Sequence, residues 1–343
     1  MKIKNVSIVD KLVQDKLSRI FEYLRISVTD KCNFRCSYCM PSDIFNKDYK
    51  YIPQDKILSY EEIINICKIL QKVGLKKVRI TGGEPLLRKN IDKLINKLKH
   101  EANIDYISMT TNGSLLSEEK LNLLKTSGLD SITLSMDTLN QTKIAQINGT
   151  KKIINIRDIL GLIEKYYNEV KTNTVLIKDI NDNEIMDIIN LMKDFKSEVR
   201  FIEYMDVGES NSWDVSKVVP SKTVYNMIGQ KYRLIKKNTE NSSTSKKWIL
   251  ENTNVSVGLI SSITEPFCSN CNRARLSVDG KLFTCLFSSQ GYDIKTIIRG
   301  DNPESKFLSE FTKIWSSRTD QYSEIRFTKK SQLPKVEMSY IGG

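Results

Sequence analysis

The sequence holds a single histidine in 343 residues, so any metal site must draw on other ligands. That residue, His100, closes the lysine-rich helical pattern LINKLKH and reads as a solvated surface group. No run of eighteen apolar residues occurs, which excludes an ordinary membrane-spanning helix. The opening stretch MKIKNVSIVDKLVQDKLSRIF has neither the apolar core of a secretory signal nor an Arg- and Ser-rich transit pattern, and the expected location is cytoplasmic. Arginine is the scarcer base, 13 of the 53 Lys and Arg residues. Cysteine comes in an odd number, seven, and all but one fall in two tight groups, which favours metal binding over a disulfide framework. Cys67 stands apart in the apolar helical pattern EEIINICKIL and is expected in the core.

What is present points to a large α/β chain. At 40% hydrophobic residues, the length supports one large domain, or a large one with a smaller one. The net charge of +12 is mostly lysine spread along helical patterns, hence solvated surface; alone it fits a nucleic acid or a polyanionic small molecule and chooses neither. Arginines in such a chain mark places where a planar, bidentate donor is needed. Six β-rich runs, LRISVTD (24–30), KKVRITG (76–82), IDYISMTT (104–111), DSITLSMD (130–137), VKTNTVLI (170–177) and VRFIEYM (199–205), alternate with amphipathic stretches. That alternation predicts a parallel sheet with helices outside, an open (βα)6 partial barrel over about residues 20–210. The expected division is 1–210 for the barrel and 211–343 for a smaller C-terminal region, in which the polar run KKNTENSSTSKK (236–247) reads as an exposed loop.

The unusual residues follow the predicted strands: Cys32, Cys36 and Cys39 after the first, GGEP (82–85) after the second, TTNG (110–113) on the third, SMD (135–137) on the fourth, EYMD (203–206) on the sixth. Barrel enzymes build their sites at this C-terminal face. A closed zinc site wants four ligands, and a 4Fe-4S cube also normally takes four thiolates; three thiolates leave one iron open. A second group, Cys268, Cys271 and Cys285 in PFCSNCNRARLSVDGKLFTCLF, fits three zinc ligands with water, two ligands beside a core cysteine, or a second open cube. Arg273 and Arg275 are two apart, so in an extended segment both side chains share one side.

C-x3-C-x2-C after the first strand of a partial barrel resembles the radical S-adenosylmethionine superfamily. Within it, LRISVTDKCNFRCSYCMP, VRITGGEPLLR, MTTNG, VKTN, RFIEYMDVG, FCSNCNRARL and the terminal IGG resemble the family of GTP 3′,8-cyclases of molybdenum cofactor biosynthesis. The resemblance implies a lyase with two 4Fe-4S clusters and S-adenosyl-L-methionine. Its metal ligands would be Cys32, Cys36, Cys39, Cys268, Cys271 and Cys285. Tyr38, Gly83, Glu84, Ser135 and Met205 would bind the cofactor; Arg25, Arg79, Thr110, Lys171, Arg200, Arg273 and Arg275 would bind GTP. Cys32, Cys36, Cys39, Arg273 and Arg275 would count as catalytic. An adenosyl radical would take hydrogen from C3′ of GTP, and the ribose radical would attack C8, giving (8S)-3′,8-cyclo-7,8-dihydroguanosine 5′-triphosphate. Gly342 and Gly343 would thread toward the site. Implied partners are an electron donor protein, a second copy in a homodimer, and the cyclic pyranopterin monophosphate synthase that takes the product; neither membrane nor nucleic acid is expected. Two other readings remain open at this point: a peptide-modifying radical enzyme with an auxiliary cluster, and a nucleic-acid-binding protein with structural clusters.

Overall fold

The computed structural model describes residues 12–325 and 335–343. The six β-rich runs form β1 (Tyr23–Ser27), β2 (Lys77–Thr81), β3 (Tyr106–Thr111), β4 (Ser131–Ser135), β5 (Val170–Leu176) and β6 (Ser197–Glu203). They lie side by side in chain order, each parallel to the next. Between them run α1 (Tyr60–Gln71), α2 (Ile91–His100), α3 (Glu118–Thr126), α4 (Gln141–Asn148), α5 (Ile156–Tyr166) and α6 (Ile185–Met192). The start of α1 shows how the sequence sets such a boundary. Ser59 accepts a bond from the Glu62 N–H while the Glu62 carboxylate accepts one from the Ser59 N–H, satisfying two donors that the first turn would leave open. Ile63, Ile66, Cys67 and Leu70 then recur at helical spacing and are buried. Cys67 is thus a core residue, and His100 is exposed, both as expected.

Alternation along the strands separates the core from the site. Leu24, Ile26, Val78, Ile80, Ile107, Met109 and Ile132 are fully buried in the hydrophobic core. Their neighbours Arg25, Arg79, Thr110 and Ser131 point to the opposite, concave face.

The C-terminal region contributes α7 (Ser221–Gly229), β7 (Leu234–Lys237), β8 (Lys246–Leu250), β9 (Val255–Ile260), β10 (Arg273–Leu276), β11 (Lys281–Phe283) and β12 (Tyr292–Asp293). After these come α8 (Ile294–Arg299), α9 (Pro303–Ser317), α10 (Tyr322–Ile325) and α11 (Met338–Ile341). An open six-strand layer has two edges with unpaired backbone groups, and this region pairs with both. β9 adds parallel to β6, and β10 adds parallel to β1. One twelve-stranded sheet results, in the order β12-β11-β10-β1-β2-β3-β4-β5-β6-β9-β8-β7, and it passes residue 210 without a break.

The polar run 236–247 departs from the expected loop. Its ends belong to the antiparallel hairpin of β7 and β8, and Ser245 at the foot of the turn is buried. Composition made the run look irregular because its strand residues are lysines, of which Lys236 and Lys246 are exposed while Lys237 and Lys247 line the cavity.

Candidate active site

The concave face encloses a cavity of about 600 Å³, within the range of small-molecule sites. All residues singled out above as ligands or binding groups line it: the six clustered cysteines, Tyr38, Gly83, Glu84, Ser135, Met205, Arg25, Arg79, Thr110, Lys171, Arg200, Arg273 and Arg275. Gly343 lines it too.

Strand register places the two cysteine triads at opposite ends. Cys32, Cys36 and Cys39 follow the C-terminal end of β1. Cys268 and Cys271 precede β10, which runs parallel to β1 with Tyr23 opposite Arg273 and Arg25 opposite Arg275. They therefore stand at the N-terminal end. Cys285 joins them because β11 runs antiparallel, with Phe283 opposite Arg275.

At the C-terminal end the surroundings are carboxylate and amide. Cys32 Sγ accepts from the Phe34 N–H at 3.4 Å, and Cys36 Sγ accepts from Asn148 Nδ2 at 3.3 Å. Burial pushes the Cys32 thiol up to about 11 and raises Cys36 and Cys39 as well. Tyr38 donates to Asp137 Oδ2 at 2.8 Å, and Asp137 is itself clamped by Asn148 Nδ2 at 3.0 Å and the Val175 N–H at 3.0 Å. Glu84 accepts from Thr111 Oγ1 at 2.7 Å and the Asn112 N–H at 2.8 Å. Burial outweighs these bonds and lifts its carboxyl to about 7, with no lysine or arginine beside it among the described residues. A buried carboxylate at a cavity wall without a cation suits a cationic ligand. Gly83 approaches so closely that a Cβ there would overlap the Lys31 carbonyl.

At the N-terminal end the surroundings are guanidinium. Burial raises the Cys271 thiol, but the charges of Arg273 and Arg318 prevail and bring it down to about 6. Cys285 is raised by burial to about 12, and Cys268 is raised too. Arg318 Nη2 donates to Cys271 Sγ at 3.4 Å.

Between the ends lies a ring of cations. Burial and the adjacent Arg275 charge hold Arg25 well below the usual guanidinium range, and burial and Arg273 bring Arg275 down to about 10. Among the described residues, Arg25 Nε is buried without a hydrogen-bond partner, as is Asn173 Oδ1. Arg79 donates to Tyr23 Oη at 2.7 Å and to Thr110 Oγ1 at 3.0 Å. Lys171 lies 3.3 Å from Glu169, and Arg200 lies 2.5 Å from Glu198, which Lys247 also reaches at 2.8 Å. Crowded guanidiniums with an unpartnered donor call for a polyanion.

The C-terminal tail enters this ring. Arg275 Nη1 donates to the Gly342 carbonyl. Gly342 has φ +76°, and a Cβ there would overlap Thr81 Oγ1, so only glycine fits.

Several residues went unassigned in the sequence reading. Tyr23 and Lys77 line the cavity two positions before Arg25 and Arg79, and Glu198 is two before Arg200; the two-residue strand period would have found all three. Burial opposes ionisation of Tyr23, but the Arg79 and Arg25 charges draw its phenol down to about 7. Asp137 stood in the SMD stretch without a role. Arg318 carried no local signal.

The six cysteines are free thiols that line the cavity, three toward each end, and thiolate is the donor that an iron-sulfur cluster takes.

A cysteine triad on the loop after the first of six parallel βα strands, over a cavity lined with arginines, defines the radical S-adenosylmethionine class. Residues 26–192 match the family model described as Radical SAM superfamily, and residues 197–324 match Molybdenum Cofactor Synthesis C. The chain is 42% identical over 339 residues to a GTP 3′,8-cyclase of Staphylococcus epidermidis, covering 97% of this chain and 99% of that one. It is 41% identical over 333 residues to a GTP 3′,8-cyclase of Aquifex aeolicus, covering 97% and 100%. The chain belongs to the GTP 3′,8-cyclase family. Among solved structures, Streptococcus suis SuiB bound to S-adenosylmethionine aligns with TM-score 0.62 at 15% identity, covering 92% of this chain and 76% of that one, a likeness of fold alone. No helix among the described residues is long and apolar enough to cross a membrane.

Proposed function

We propose that the chain is a lyase converting GTP to (8S)-3′,8-cyclo-7,8-dihydroguanosine 5′-triphosphate, the first step of molybdenum cofactor biosynthesis, with two 4Fe-4S clusters and S-adenosyl-L-methionine. The observation that carries this reading is a single cavity with three cysteines at each end and a ring of arginines between. When bound, the first cluster and S-adenosyl-L-methionine supply one-electron chemistry that removes hydrogen from an unactivated C–H bond. Cys32, Cys36 and Cys39 hold that cluster, Glu84 faces the cofactor's ammonium group, and Gly83 admits its close approach. Tyr38, held by Asp137, and Ser135 and Met205 complete the cofactor's pocket. Cys268, Cys271 and Cys285 would hold the second cluster, at the end of the cavity read as the guanine site. Arg25, Arg79, Thr110, Lys171, Arg200, Arg273 and Arg275 orient the triphosphate, and the walls keep water from the reacting carbons.

In this reading residues 1–210 form the barrel, which holds the cofactor and lends residues to the triphosphate, and 211–343 form the C-terminal region with the second cluster and the rest of the GTP site. A one-electron donor protein reduces the first cluster, the chain works as a homodimer in the cytoplasm, and its product passes to the cyclic pyranopterin monophosphate synthase. The test is anaerobic reconstitution with iron and sulfide, then incubation with S-adenosyl-L-methionine, dithionite and ATP, CTP, GTP or UTP separately. Cyclised nucleotide with 5′-deoxyadenosine is expected from GTP alone. Retention of zinc without iron-sulfur absorbance, or no product from GTP, overturns the reading.

A further inference from the structure

We infer that Arg318 is a positioning residue for the second cysteine triad, fixing the Cys271 loop and setting how readily the cluster there accepts an electron. This rests on the proposed reading that Cys268, Cys271 and Cys285 hold an iron-sulfur cluster.

Arg318 is the residue after α9, and α9 is anchored by aromatic packing. Phe21, Phe311 and Trp315 are fully buried, with ring centroids 4.7 Å and 5.1 Å from Phe21 to its two partners. Trp315 Nε1 donates to the Arg19 carbonyl at 2.9 Å, and the Arg318 guanidinium lies over the Trp315 ring, 4.6 Å from its centre. From that seat Arg318 Nη1 donates to the Cys271 carbonyl at 2.7 Å, and Nη2 donates to Cys271 Sγ at 3.4 Å. Its Nε pairs with Asp320 at 3.1 Å, and Nη1 stands 3.4 Å from Asp15. Asp15 also binds Arg19 Nε at 2.6 Å, and Arg19 Nη1 reaches the Cys268 carbonyl at 2.7 Å. One buried Asp–Arg–Arg group therefore holds the backbone at two of the three cysteines. The side chain of Arg318 is 2% exposed.

Such a network is weak evidence for stability, since apolar packing often serves as well. Its chemistry is directed at sulfur. An N–H donor and a positive charge at a ligand thiolate stabilise the more negative, reduced state of a cluster, and outer contacts of this kind tune potential. Arginine can do this while holding the carbonyl because its donors form a rigid fork; lysine offers a single point charge.

The experiment uses the full chain carrying Cys36→Ala, so that only the second cluster remains, with iron content and midpoint potential followed by electron paramagnetic resonance. Arg318→Gln should shift the potential to more negative values, and Arg318→Lys should recover part of the shift. Asp15→Asn disturbs the same buried group but leaves the sulfur contact, and should produce no negative shift. An unchanged potential in Arg318→Gln with iron retained overturns the inference, as does an equal negative shift in Asp15→Asn. If Arg318→Gln holds no iron, Arg318→Lys decides: a lowered potential, or loss of iron while Asp15→Asn keeps it, supports the role. Loss of iron from Asp15→Asn as well reduces Arg318 to a general structural part and overturns it. A parent that takes up no cluster overturns the cluster reading itself.

Discussion

Cys32, Cys36 and Cys39 share their end of the cavity with Glu84 and Asp137, whereas Cys268, Cys271 and Cys285 have Arg273, Arg318 and Arg19 about them. The ligand count is the same, and the electrostatics differ most at Cys271, beside Arg273 and Arg318. At the first end every thiol is pushed up; at the second, Cys271 is brought down to about 6. Three thiols therefore specify only that a cluster with an open iron can be built. In the proposed function the charges around them make the difference, suiting a cationic cofactor at one end and a polyanionic nucleotide at the other.

The largest effect should come from removing a triad. Cys36→Ala should abolish 5′-deoxyadenosine formation while one cluster's iron remains, and Cys271→Ala should keep slow uncoupled cleavage of S-adenosyl-L-methionine while cyclisation stops. Iron analysis and chromatography check both, and the comparison breaks if either variant loses all iron. Deleting Gly342 and Gly343 should likewise stop cyclisation with both clusters assembled, since the tail touches Arg275 and Thr81; full activity of the truncated chain would return the tail to mere fraying.

Smaller is the loss expected from Arg273→Ala or Arg275→Ala. Each charge-assisted contact contributes about 1.5–3 kcal/mol, so calorimetry should find GTP weakened by about one to two orders of magnitude. Cofactor binding at the far end should be unmoved.

A pH experiment examines the ring itself. Glu198 is opposed by burial, but Arg200 and Lys247 hold its carboxyl down to about 2 from the ordinary 4.5. With the folded value depressed, the stabilisation is full above 4.5 and is lost as pH falls toward about 2, because the unfolded chain takes up its proton first. Urea unfolding over that range should show wild type losing stability more steeply than Glu198→Gln; parallel losses would refute the pairing.

The smallest effect is expected at Glu240, which sits on the hairpin turn and holds Lys77 Nζ at 2.7 Å. An exposed pair contributes about 0.2–1 kcal/mol. Glu240→Gln should free Lys77 and tighten GTP by a small factor, and weaker binding instead would make the pair a support for the hairpin.

Much of this was legible before the fold. C-x3-C-x2-C lies within one loop, and the six strand runs alternate with helical runs over short distances, so local periodicity carries them. Arg273 and Arg275 were placed on one side by the strand period, and both do line the cavity. The hairpin of β7 and β8 was hidden because its lysines read as loop. Arg318 was hidden for a different reason: it comes 47 residues after Cys271 and 303 after Asp15.

The sequence by itself determined the six barrel strands, the helices between them, the first triad and the inward polar faces, because each depends on neighbours within a turn or a strand pair. Tertiary structure decided which end of the sheet the second triad occupies. Any strand can satisfy an open sheet edge, and only parallel pairing of β10 with β1 sets Arg273 opposite Tyr23 and Arg275 opposite Arg25. That pairing carries Cys271 to the N-terminal end, closes the ring of cations, and brings the Asp15–Arg19 pair and the distant Arg318 to the loop of Cys268 and Cys271.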